Sequence, residues 1–95
     1  MQIQNILVVC IGNICRSPMA EFFLEKNHPN LHIESAGFSA MVGHAADSKA
    51  IDCMIDKTID MHSHVAKQID ANLIKAADLI LVMSSNQKKH LERTW

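Results

Sequence analysis

The chain has 95 residues, of which 48% are hydrophobic, and a net charge of -1 with neutral histidines. This length supports one domain, residues 1–95, and the large apolar fraction is typical of a folded domain rather than a disordered one. The nine basic residues are scattered, which argues against nucleic-acid binding, and no apolar run approaches the roughly 20 residues that a membrane span requires.

The cysteines and the amino-terminal residues predict a reducing location. The first ten residues lack the basic start and small-residue cleavage site of a secretory signal. Cys10, Cys15 and Cys53 are odd in number and do not have the spacing of a disulfide framework. We therefore expect a cytoplasmic protein whose cysteines are reactive or buried. For Cys53, which lies next to Met54 on a predicted helix, we expect burial.

The first predicted element is a strand, and a turn and a helix follow it. The continuous apolar run Ile6–Val9 is typical of a strand that is covered on both faces. Gly12 and Asn13, two residue types that tolerate positive φ, then break the run. Pro18 is suited to the first turn of a helix, and apolar residues at helical spacing follow it.

The remaining elements continue this alternation of strands and helices. They are, in chain order, a strand over Leu31–Glu34 ended by Ser35–Gly37, a helix capped by Asp47 and running through Ile55, a short helix over Ala71–Ala77, a third buried strand over Leu79–Met83 and a polar helix over Gln87–Arg93. Such alternation predicts an α/β fold with parallel strands and right-handed crossovers. Ligands of these sheets bind beyond the carboxyl ends of the strands, which is where the first turn lies.

The turn itself, VCIGNICRSP over residues 9–18, has the composition of an anion-binding site. Backbone N–H groups between a strand and a helix N-terminus can surround an anion, and the fork of Arg16 suits two phosphate oxygens at once. The same positive field favours the thiolate of Cys10, which would be a nucleophile aimed at phosphorus. Ser17 could hydrogen-bond this sulfur and help it leave.

The residues of the turn also permit other interpretations. A cysteine that ends a buried strand is commonly a core residue, and the two cysteines of the turn could form a redox pair. Together with His62 and His64 they could bind a metal ion, although a tetrahedral ligand spacing is not evident and we expect no metal. The Gly-Asn pair before Arg16 and the Ser-Pro pair after it favour the phosphate site.

Five segments resemble one family. The string VCIGNICRSPMAE closely resembles the active-site signature of the low-molecular-weight protein tyrosine phosphatases. The resemblance continues in family order through SAG at 35–37, MVGHAAD at 41–47, HVAKQ at 64–68 and ADLILVM at 77–83. Its middle part is most similar to the bacterial branch that acts with tyrosine autokinases in capsule and exopolysaccharide production.

This resemblance implies a three-layer α/β/α fold and hydrolysis of phosphotyrosine in a protein partner, such as a tyrosine autokinase, through a phosphocysteine intermediate and without a cofactor. It implies that Cys10 attacks phosphorus and that Arg16 holds the phosphoryl oxygens. The residues whose amides would line the cradle are Ile11, Gly12, Asn13, Ile14, Cys15 and Ser17. A supporting network would consist of Asn13, Ser17, Ser35 and His64, and Cys15 matches a possible redox partner of the nucleophile.

One feature departs from the family pattern. The family takes its general acid from an Asp-Pro pair, whereas Pro18 and Pro29, the two prolines here, follow serine and histidine. The resemblance therefore predicts a carboxyl-terminally incomplete domain that lacks a fourth strand, the acid loop and a last helix, and leaves an edge of the sheet uncovered near Leu79–Met83. General acid catalysis is typically worth about 10²- to 10⁴-fold, so the chain could be a weakly active or inactive phosphate-binding remnant.

Two related activities fit the sequence less well. Arsenate reductases that share this fold have two further cysteines after the third strand, and residues 83–95 contain none. Protein arginine phosphatases typically place threonine directly after the nucleophile. Ile11 occupies that position here, and its apolar side chain is better suited to lie against an aromatic ring.

Overall fold

A computed structural model describes residues 2–95, which form three strands and four helices. The strands are β1 (Asn5–Cys10), β2 (His32–Gly37) and β3 (Leu79–Val82), and the helices are α1 (Arg16–Asn27), α2 (Ser48–Ile55), α3 (Ala71–Ala76) and α4 (Ser85–Thr94). The strands are parallel and lie in the order β2-β1-β3, so the predicted α/β fold with a three-stranded parallel sheet is confirmed. Within residues 2–95 no helix is long and apolar enough to cross a membrane.

The central strand β1 is buried on both faces, which explains its continuous apolar run. Successive side chains of a strand point to opposite faces. Leu7 and Val9 pack with residues of α3 and α4, whereas Ile6 and Val8 pack with residues of α1. Each fully buried apolar side chain of this kind contributes about 1.5–3 kcal/mol. Helices thus cover both faces of the sheet, and the predicted three layers are confirmed.

Two strand predictions need correction. The strand β2 does not end before Ser35 but continues through Gly37, because Ser35, Ala36 and Gly37 pair in register with Val8, Val9 and Cys10 of β1. Pairing with a central strand here outweighs the low strand propensity of small residues. The side chains of β3 are only partly buried, with Leu79 37% exposed. Among the described residues β3 pairs only with β1 and is an edge strand.

The second helix confirms one prediction and contradicts another. The side chain of Asp47 caps α2 by accepting hydrogen bonds from the N–H groups of Lys49 and Ala50, at 3.1 and 3.2 Å. The prediction of a buried Cys53 was wrong, because this residue is exposed whereas Met54 is buried. The buried stripe of α2 runs through Ala50 and Met54, four residues apart, and Cys53 lies to one side of it.

Candidate active site

The predicted turn connects the carboxyl end of the central strand to the first helix. Residues 11–15 leave β1 after Cys10 and enter α1 at Arg16, so Pro18 lies in the first turn of the helix, as predicted. No side chain caps the N-terminus of α1. Its first turn therefore presents the positive end of the helix dipole to the loop.

The carbonyl groups of the loop are turned outward. Each carbonyl oxygen from Cys10 to Cys15 accepts a hydrogen bond, at distances between 2.7 and 3.1 Å. In chain order of the carbonyls, the donors are the N–H groups of Phe38, Ser39 and Met41, the ring Nε2 of His64, and the N–H groups of Asp47 and Met19. The C=O and N–H of a trans peptide point in opposite directions. The N–H groups that follow these carbonyls are therefore directed toward the inner side of the loop, as an anion site requires.

Asn13 is the residue that shapes the loop. It is fully buried and has a φ of 57°, which confirms the predicted left-handed kink. Its side-chain Oδ1 accepts from the N–H of Lys67 at 2.9 Å, and its Nδ2 donates to the hydroxyls of Ser17 at 2.8 Å and Ser35 at 3.0 Å. A single side chain therefore joins the loop, the first helix and the second strand.

Glycine is required at Gly37 rather than at Gly12. Gly12 does not have a positive φ, and a Cβ atom there would meet no atom closer than 3.7 Å. At Gly37 a Cβ atom would lie 2.4 Å from the carbonyl oxygen of Ile11. The backbone of β2 thus packs directly against the loop. The Ser-Ala-Gly string contained this residue, but only the fold reveals the contact.

The thiol of Cys10 lies at the bottom of the loop, where the residue is only 4% exposed. Its sulfur is 2.9 Å from the hydroxyl oxygen of Ser17 and accepts from the N–H of Asn13 at 3.3 Å. A thiolate at Cys10 can only accept, so the Ser17 hydroxyl, whose oxygen accepts from Nδ2 of Asn13, donates its proton to that sulfur. Two donors aimed at one sulfur stabilise a thiolate.

The other predicted residues of the turn lie around its mouth. The three ion pairs among residues 2–95 do not include Arg16, and its side chain is exposed at the start of α1. Cys15 is exposed and Ile14 is partly buried. Ile11 is 51% exposed and Met41 44% exposed, and they give the rim an apolar surface.

Behind the loop, polar groups support Asn13 and its neighbours. Ser35 is buried and donates its hydroxyl proton to Oε1 of Glu21 at 2.5 Å. Lys67 also forms an ion pair with Glu34, and this hydrogen bond holds the pKa of the Glu34 carboxyl below its usual range. Glu21 lies in the first motif, but no local pattern indicates a role for it, because its partner Ser35 is on another element.

The histidines have separate positions. His64, which is buried, donates from Nε2 to the carbonyl of Asn13 at 2.7 Å. His62 is exposed and pairs with Asp60 instead of approaching the loop cysteines. Within residues 2–95 no three His, Cys, Asp or Glu side chains are grouped as metal ligands.

The fold and the loop together define a class of protein. The central parallel strand ends in a cysteine, a turn with inward-directed N–H groups joins it to a helix N-terminus, and an exposed arginine begins that helix. The family model described as low molecular weight phosphotyrosine protein phosphatase matches residues 5–94. The chain therefore belongs to this family, which confirms the resemblance found in its motifs.

Individual relatives agree with this assignment. The low molecular weight protein-tyrosine-phosphatase Ptp of Acinetobacter johnsonii is 63% identical over 95 residues, which are 100% of this chain and 67% of that protein. A crystal structure of the Erwinia amylovora tyrosine phosphatase AmsI matches with a TM-score of 0.94 at 42% identity, covering 97% of this chain and 61% of that one. Vibrio vulnificus Wzb in complex with benzylphosphonate matches with a TM-score of 0.93 at 38% identity, covering 97% and 66%. The chain thus spans about two thirds of the length of these relatives.

Proposed function

We propose that the chain carries the nucleophile and the phosphate-binding loop of a protein tyrosine phosphatase. The observation that supports this most strongly is the position of the Cys10 sulfur, 2.9 Å from the Ser17 hydroxyl, in a loop whose carbonyls all accept hydrogen bonds outside it. This arrangement offers a nucleophile and N–H donors to the same phosphoryl group. Both are features of phosphoryl transfer through a covalent intermediate.

The first step transfers the phosphoryl group to sulfur. The Cys10 thiolate attacks phosphorus, so that the sulfur–phosphorus bond forms while the bond from phosphorus to the tyrosine oxygen breaks. Arg16 and the loop N–H groups hold the three non-bridging oxygens, whose charge they stabilise in the transition state. The leaving tyrosinate takes a proton from an acid or from water.

The second step hydrolyses the phosphocysteine. A water molecule attacks phosphorus and loses a proton, the sulfur–phosphorus bond breaks, and inorganic phosphate and the Cys10 thiolate are released. The hydroxyl proton of Ser17, which is directed to the sulfur, stabilises the departing thiolate. The loop donors that bound the phosphoryl group in the first step hold it again here.

The proposed substrate is a phosphotyrosine protein, in particular a tyrosine autokinase of capsule or exopolysaccharide production. The relatives named Wzb and AmsI support the tyrosine phosphatase activity, and the Vibrio protein binds benzylphosphonate, a small aromatic phosphonate. The exposed apolar side chains of Ile11 and Met41 suit an aromatic ring. A cytoplasmic location fits this proposal, because a nucleophilic thiol must stay reduced.

Substrates with different leaving groups test the proposal. The 95 residues contain no Asp-Pro pair to supply the family's general acid, and p-nitrophenolate leaves without the proton that tyrosinate needs. The quantity to compare is the ratio of kcat/KM for p-nitrophenyl phosphate to kcat/KM for a phosphotyrosine peptide. We expect this ratio to be about 10²- to 10⁴-fold larger for this chain than for Acinetobacter johnsonii Ptp.

Two controls accompany this measurement. The first is the same peptide phosphorylated on serine, and the second is the amount of inorganic phosphate that each of the two proteins releases. No hydrolysis of the phosphoserine peptide is expected, because a serine alkoxide is a poorer leaving group than tyrosinate. Equal ratios for the two proteins would contradict the leaving-group explanation. No release from either aromatic ester by the folded chain would contradict the proposed function.

A further inference from the structure

A polar cleft of 300 Å³ is lined by residues of α1, by Ser35 of β2 and by residues 63–67, several of which bind Asn13 of the loop. Two carboxylates of α1, Glu21 and Glu25, line it together with Ser35 and His64. Ser35 and His64 are the residues that hydrogen-bond Asn13 from behind. The proposed reaction uses neither carboxylate directly, so their place in this cleft needs a separate explanation.

We propose that Glu21 is a positioning residue for the phosphatase reaction: by accepting the hydroxyl proton of Ser35, it holds the Ser35 oxygen in place as an acceptor for Asn13, in a hydrogen-bond chain that continues through Ser17 to the Cys10 sulfur. This inference rests on the proposed function. It concerns how the nucleophile is held, and no contact between Glu21 and the substrate is involved.

The direction of the chain follows from what each group can donate. Oδ1 of Asn13 is occupied by the N–H of Lys67, so its Nδ2 faces the two hydroxyls and can only donate to them. Both hydroxyl oxygens therefore accept from Asn13, and each hydroxyl proton must point elsewhere. That of Ser17 points to the Cys10 sulfur, and that of Ser35 points to Glu21.

Glu21 is suited to end this chain because an ionised carboxylate can only accept. Ser35 is 1% exposed, and Oε1 of Glu21 lies 2.5 Å from its hydroxyl oxygen. Hydrogen bonds to an ionised group are roughly twice as strong as neutral ones. Without this acceptor the Ser35 side chain can rotate about its Cα–Cβ bond, and its oxygen is no longer held in place for Nδ2 of Asn13.

The neighbouring Glu25 is a second hydrogen-bond partner of Glu21. Burial, followed by the hydrogen bond and the charge of Glu21, raises the pKa of Glu25 to about 7, against a smaller opposing effect of His32. Glu25 therefore keeps its proton into the neutral range and can donate it to Glu21. The other ionisable groups that line the cleft are His64 and Lys67, which bind the loop and Glu34.

The experiment measures the thiol directly, in the 95-residue chain. The rate at which iodoacetamide alkylates Cys10 is followed from about pH 5 to pH 8, with peptide fragmentation to separate Cys10 from Cys15. In Glu21→Ala we expect the midpoint of this profile to move to higher pH and the rate below the midpoint to fall about three- to tenfold, as for the loss of one hydrogen bond. Glu21→Gln, whose amide oxygen can still accept from Ser35, should stay within about twofold of the unsubstituted chain.

Matched variants distinguish a positioning role from a general loss of structure. Glu92→Ala removes an exposed glutamate of α4 and should leave the profile unchanged. In a Ser35→Ala background, Glu21→Ala should have no further effect, because the hydrogen bond is already absent. An unchanged profile in Glu21→Ala, equal shifts in the alanine and glutamine variants, or a full additional effect in the Ser35→Ala background would each overturn the proposal.

The same data separate this inference from the proposed function. Alkylation needs a thiolate but no phosphoryl transfer. A Cys10 that reacts no faster than a free cysteine in the unsubstituted chain would overturn both. A reactive Cys10 that is indifferent to Glu21 would overturn the positioning role alone and leave the phosphatase proposal intact.

Discussion

Replacing Asn13 with alanine is expected to cost the chain both stability and activity. The side chain makes three hydrogen bonds, two of them buried and one partly buried, each worth about 1 kcal/mol, so the free energy of unfolding should fall by about 3 kcal/mol. Turnover of p-nitrophenyl phosphate should fall about 10²-fold or more, which is the usual cost of disturbing the donors of an anion site. Urea denaturation and steady-state kinetics measure the two effects.

Two further variants separate the causes. Asn13→Gly keeps the left-handed conformation at φ 57° and removes only the hydrogen bonds, so it should recover part of the stability but little of the activity. Asn72→Ala, at an exposed position of α3, serves as the matched control and should behave like the unsubstituted chain. Activity of Asn13→Ala within about twofold of the unsubstituted chain would contradict the role of Asn13 in shaping the loop.

Gly37→Ala is expected to displace the loop from outside. The added Cβ atom would lie 2.4 Å from the carbonyl oxygen of Ile11 and 3.1 Å from the N atom of Asn13, and both are backbone atoms that cannot rotate away. We expect a loss of about 3 kcal/mol in the free energy of unfolding, at the upper end for overpacked sites. Turnover should fall at least tenfold, on the order of what small displacements cost a reaction site.

The control for this substitution is Gly12→Ala in the same loop, measured for stability only. A Cβ atom at Gly12 would meet its nearest neighbour at 3.7 Å, so the free energy of unfolding should change by less than about 1 kcal/mol. Equal destabilisation by the two substitutions would show that the close approach of β2 to the loop is not what restricts position 37 to glycine.

Much of the fold and of the turn could be predicted because the signals are local. The apolar run of β1, the αL preference of Asn13 and the cap at Asp47 each depend on a few neighbouring residues, and the structure confirms them. The boundaries of β2 could not be predicted in this way. Its last three residues are a strand only because the central strand pairs with them.

The contacts that organise the site could not be predicted from local patterns. Lys67 binds Asn13 from 54 residues further along the chain, and Ser35 reaches Glu21 across 14 residues. The family resemblance implied a network of Asn13, Ser17, Ser35 and His64, but gave no hydrogen-bond direction and no role for Glu21. Burial on a helix is also hard to predict from sequence, as Cys53 shows. An error of one residue in the position of the buried stripe exchanges the exposed Cys53 with the buried Met54.

The assignment of Cys10 as the nucleophile is tested most directly by pre-steady-state release of p-nitrophenolate, with substrate in excess, from the folded 95-residue chain and from its Cys10→Ser variant. We expect a burst equal in amount to the enzyme, because each Cys10 thiolate accepts one phosphoryl group before hydrolysis limits the rate. No burst is expected from Cys10→Ser. A folded chain that releases no burst, or a variant that releases the same burst, would contradict the assignment of Cys10 as the nucleophile.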